Sequence, residues 1–95
     1  MSVTLTYIVI EPSVVGDSRG FEIVHSWNGV EYQSHEEAKQ AGLESRGSDD
    51  FNICSLRGSK LVGYFWMDEP MDDPEGMAAI AKEHGFKLTM TKAHP

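Results

Sequence analysis

The sequence predicts an α+β fold, a mainly antiparallel sheet of four to six strands with two helices packed on one face of it. Three observations carry this reading. Two runs rich in aromatic and β-branched residues, 51–57 and 60–67, are separated by Gly58-Ser59 alone, the spacing of a tight hairpin. A second hairpin signal, Asn28-Gly29, lies between 21–27 and 30–33. Helix-start signals stand at Ser34 and Asp73, each after a hairpin. The expected order is β-β-β-α-β-β-α with a possible last strand. The 95 residues are expected to form one compact domain over 1–91, with 92–95 as a loose tail.

The first strand is predicted over 3–10, VTLTYIVI, where Val3, Leu5, Tyr7 and Val9 share one face and Thr4, Thr6, Ile8 and Ile10 the other. Pro12 is expected to stop it, because proline cannot donate to a ladder. Residues 13–20, SVVGDSRG, then read as a flexible connection with Gly16 and Gly20. The second strand, 21–27, puts Phe21, Ile23, His25 and Trp27 on one face and leaves Glu22 and Ser26 on a wet one. Asn28-Gly29 is then expected to form a type I′ turn, in which both residues need positive φ, and 30–33 to return as a short strand.

Ser34 followed by Glu37 makes a capping box, in which each side chain satisfies a backbone donor near the helix start. Ala38 and Ala41 give this helix a small apolar face, and its end falls between Ala41 and Arg46. In the central hairpin, glycine first in the two-residue loop fits a type II′ turn. Simple alternation along its second strand places Leu61, Phe65 and Met67 on one side and Val62, Tyr64 and Trp66 on the other, with Gly63 between. Both sides are apolar, so the strand is expected to be covered on both. The acidic connection 68–74 ends at Asp73-Pro74, an N-cap with proline at the first helical position. Met77, Ile80, Ala81 and His84 recur at helical spacing, and Gly85 supplies the stop. Phe86, Leu88 and Met90 alternate with polar residues as a final edge strand.

Composition narrows the function classes. Eight basic against fifteen acidic side chains leave a formal charge of −7, which disfavours direct nucleic-acid or anionic-membrane binding. No apolar run approaches the ~20 residues of a membrane span, and no leader pattern precedes the short run near the start. The single cysteine, Cys54, allows no intrachain disulfide, which favours a reducing, cytoplasmic setting.

No residue pattern nominates an enzyme. The acidic residues Asp68, Glu69, Asp72, Asp73 and Glu75 lack calcium-loop spacing, and two prolines stiffen them. His25, His35, His84 and His94 show no HExxH and no metal-type spacing with Cys54. Neither GxxxxGK nor GxGxxG occurs, so no cofactor is expected. Arg57 and Lys60 flank a turn and read as solvated charges that blunt a strand edge.

The aromatic set is more informative. Val62, Tyr64 and Trp66 on the central hairpin, with Trp27 and Tyr32 from the Asn-Gly segment, form a candidate interaction surface, because tryptophan and tyrosine bury large area with few rotors. The leading expectation is a small non-enzymatic binding or regulatory module acting through protein–protein contacts as a homodimer. One alternative is an acidic inhibitor that occupies the basic groove of a nucleic-acid enzyme. Another is a small enzyme or ligand-binding domain using His25, Cys54 and the 68–75 acidic loop.

Overall fold

The structure is a computed structural model that describes residues 4–88. Six strands and two helices run in the order β1 (Leu5–Asp17), β2 (Gly20–Ser26), α1 (His35–Arg46), β3 (Asn52–Arg57), β4 (Lys60–Trp66), β5 (Glu69–Pro70), α2 (Pro74–His84) and β6 (Lys87–Leu88). The sheet order is β2-β1-β3-β4-β5, and β6 also pairs with β4. Every pairing is antiparallel except β4 with β6. The α+β class with two helices on an antiparallel sheet is as predicted. The tail 92–95 and Met90 of the expected last strand lie outside the described residues.

The helices do not share a face, which corrects the expected layering. Facing α1, Val9, Phe51 and Ile53 pack with Ala38, with Tyr7, Leu43, Phe65 and Met67 around them. Facing α2, Ile8, Ile10, Cys54, Leu56, Leu61 and Tyr64 pack with Ile80 and Ala81. The alternation of β1 and β3 made this legible in principle. Tyr7 and Val9 enter one core and Ile8 and Ile10 the other, and a strand apolar on both faces needs a cover on both.

Three local expectations are also corrected. First, β1 does not stop at Pro12 but runs to Asp17 and pairs with β2 from Glu11 to Asp17. The Pro12 carbonyl accepts from Arg46 Nη2 at 2.7 Å, on the edge away from β2. The proline nitrogen faces that same edge, so no ladder bond is lost. The segment read as a flexible connection is therefore the tip of a β-ribbon. In its two-residue loop, Asp17 accepts from the Arg19 amide at 2.8 Å.

Second, Asn28-Gly29 is not a hairpin turn. Gly29 has φ 84°, but Asn28 does not take positive φ, and its side chain instead accepts from the Val30 amide at 2.9 Å. The Trp27 indole N–H closes the same loop onto the Val30 carbonyl at 3.0 Å. The expected return strand shrinks to one bridge, Tyr32 with Tyr7.

Third, a bulge interrupts β4, where Gly63 opposes Ser55 but Leu61 opposes Leu56. Val62 is the extra residue, so the alternation slips there. Leu61 and Tyr64 consequently share the α2 side, while Phe65 and Met67 face α1.

The helix signals read from the sequence are present. Ser34 caps α1 by accepting from the Glu37 amide at 3.1 Å, and Glu37 reaches back to the Gln33 amide at 3.0 Å. Asp73 caps α2 by accepting from the Gly76 amide at 3.0 Å, with Pro74 at the first position. Gly85 ends α2, and Gly47 ends α1 in the left-handed conformation.

Candidate binding site on the β1–β2 ribbon

Beyond Ile10, β1 leaves the paired body of the sheet, since β3 begins opposite that residue. From Glu11 onward β1 has β2 as its partner strand. Opposed residues of an antiparallel pair point to the same side. Pro12, Val14 and Gly16 therefore share a face with His25, Ile23 and Phe21. That face is apolar and open: Val14 is 67% exposed, Ile23 57% and Phe21 79%. Gly16 lies under Phe21, and a Cβ there would strike the Gly20 carbonyl and the Phe21 ring.

Toward its base the ribbon leans over α2. Phe21, Ile23, His25, Tyr64 and Ala79 bound an open cleft of about 620 Å³, and Glu22, Asp73 and Glu75 also line it. Among the described residues, no lysine or arginine lines this cleft. Glu22 and Glu75 have no ion-pair partner among the described residues.

The base of β2 is fastened to α2 by two adjacent side chains. Glu83 accepts from the His25 amide at 2.9 Å and pairs with His25 Nδ1 at 2.7 Å. His84 Nε2 lies 2.6 Å from the His25 carbonyl, so that nitrogen carries the proton and donates. Partial burial works against ionisation of Glu83, but the hydrogen bonds from His25 outweigh it and hold the carboxyl below its usual range. The outward backbone groups of His25 are thus occupied. Those of the next outward-facing residues toward the tip, Ile23 and Phe21, have no partner among the described residues.

The residues singled out from the sequence fall in separate places. Tyr64 is buried in the α2-side core. Trp66 is 44% exposed, with its indole N–H donating to the Asp49 carbonyl at 2.9 Å. Val62 stands out at the bulge. Trp27 packs against the α2-side core, edge-on to His84 at 5.7 Å, and Tyr32 packs on the α1 side. These five residues do not form one patch.

The other candidates are likewise apart or occupied. Cys54 lies in the sheet centre opposite Ile8, fully buried, and burial pushes its thiol up to about 12. His25 is engaged by Glu83. In the acidic loop, Asp68 pairs with Lys39 at 3.1 Å and Asp73 serves as a helix cap. Among the described residues, no group of three histidine, cysteine or acidic side chains is placed to hold a metal ion. No helix among them is long and apolar enough to cross a membrane.

The ribbon residues were missed because Pro12 and the two glycines read as loop punctuation. The usable signal was the pairing of VV in 13–16 with FEI in 21–23 across a short polar tip. The chain matches no family model, and no curated protein and no solved structure matches it significantly.

Proposed function

We propose that this protein is a small non-enzymatic binding module that acts through protein–protein contacts made by the β1–β2 ribbon. The observation that carries this is the exposed apolar face of Val14, Phe21 and Ile23 on a ribbon whose outer edges pair with no other strand among the described residues. Elsewhere the sheet has a helix over each face, so exposed apolar area concentrates where no element covers it. Contiguous apolar surface on a small protein, rimmed by polar residues, marks an interaction site. An unprotected ribbon edge is an association hazard unless it has a partner.

In-cell photo-crosslinking tests this reading. A photoreactive amino acid replaces Val14 in one version and Ser59 in another. Ser59 is at the tip of the other hairpin, near the end of β1 remote from the ribbon, where Leu5 pairs with Arg57. The expected result is a discrete protein adduct from position 14 and none from position 59. Diffuse labelling, or equal labelling at both positions, would remove the ribbon as a binding element. An adduct of either kind, with another protein or with a second copy, supports the reading.

A further inference from the structure

Resting on the ribbon as the binding element, we infer that its occupant is an extended peptide segment alternating apolar and basic residues, added as a strand along the outer edge of β2.

The free groups follow from the ladder. Pro12 and His25 oppose each other, yet the Pro12 carbonyl bonds to Arg46 and the His25 backbone bonds to Glu83 and His84. That pair therefore exchanges no ladder bonds, and the pairs two residues on, Val14 with Ile23 and Gly16 with Phe21, have the same character. Phe21 and Ile23 thus direct both N–H and C=O outward along β2. This is the edge that strand addition uses, with backbone bonds giving affinity and alternate side-chain contacts giving specificity.

The charge is one-sided. A peptide strand on this edge would set every second side chain beside Phe21 and Ile23, over the cleft, and the intervening ones beside Glu22. Apolar residues suit the first set and basic residues the second. Glu22, on the face opposite Phe21 and Ile23, meets the basic set, Asp73 and Glu75 lie across the cleft from the strand edge, and the chain as a whole carries a net charge of −7. The outer edge of β1 differs, since Arg46 and Asp50 lie beside Val14 there.

A second copy meets an obstacle in the two antiparallel registers that set its own Phe21 or Ile23 opposite Ile23. Setting Phe21 opposite Ile23 of the second copy puts the two Glu22 side chains directly opposite each other, which is destabilising. Setting Ile23 opposite Ile23 brings Phe21 to His25, whose backbone groups Glu83 and His84 already hold. A basic, apolar strand meets neither obstacle.

The test uses the purified full chain, labelled for amide NMR, and a short synthetic peptide alternating valine with lysine. Its controls are the same peptide with glutamate for lysine, and the lysine peptide N-methylated on one backbone edge at a time. The expected result is saturable shifts at Phe21, Glu22 and Ile23 with the lysine peptide, while the α1 amides stay unmoved. Glu22→Lys should weaken binding by about tenfold, and methylation of one edge should abolish it. Equal binding of the glutamate peptide would overturn the charge assignment. Tolerance of methylation on both edges would overturn strand addition, and no shifts at all would overturn the inference outright. Sedimentation of the chain alone gives a separate answer. A dimer dispersed by Phe21→Lys or Ile23→Lys would assign the edge to a second copy, overturning this inference while leaving the ribbon as the binding element.

Discussion

At the residue scale, Cys54 and Glu83 make opposite demands on solvent. The Cys54 thiol is fully buried and is pushed up to about 12 by that burial, so almost no thiolate forms near neutrality. A thiol reagent should label it only as fast as the chain opens, with urea accelerating the reaction. Prompt stoichiometric labelling of the native chain would contradict the packing of β3 against α2. Glu83 works from the rim. Its folded pKa is depressed, so its contribution to stability is present above the ordinary carboxylate range and is lost as pH falls through the folded value. His25 and His84 are the titratable groups facing it. Acid titration of Glu83→Gln should therefore show a shallower loss of stability below the carboxylate range than the parent. Identical profiles would contradict the role of Glu83 in fastening β2.

At the element scale, Gly42 shows where packing overrules propensity. Alanine within a helix is worth roughly 0.5–1 kcal/mol over glycine, yet a Cβ at Gly42 would overlap the Phe51 ring. Overpacking of that kind costs about 1–3 kcal/mol, so Gly42→Ala should lower the urea midpoint, and a higher midpoint would contradict the close approach of α1 to the sheet. In the sequence Gly42 reads as a possible helix end, because a packing glycine and a terminating glycine look the same until the partner ring is known. The elements legible in advance were those set by local chemistry: the caps at Ser34 and Asp73, the stop at Gly85 and the Gly58-Ser59 turn. Those that were not legible depend on partners far along the chain. Pro12 is harmless because its nitrogen faces the edge away from β2, the edge on which Arg46 takes its carbonyl. Asn28-Gly29 fails as a turn because Trp27 and the Asn28 side chain close the loop another way. The bulge at Val62 takes Val62 off the expected Val62-Tyr64-Trp66 face, since one extra residue reverses the alternation beyond it.

At the scale of the whole molecule, the sheet is a filling between α1 and α2, and the ribbon is what projects from it. The radius of gyration, 13.8 Å, exceeds the about 12 Å typical of a compact chain this long, as a protruding arm requires. Addition of a partner strand requires that arm to have an open outer edge in the isolated chain. Residue-resolved amide hydrogen exchange of the purified chain reads this directly. The amides of Glu22 and Val24, directed at β1, should exchange more slowly than those of Phe21 and Ile23, with His25 protected again through Glu83. Phe21 and Ile23 amides as protected as those of Glu22 and Val24 would mean that the edge is already paired within the chain, and a partner strand would have nowhere to add.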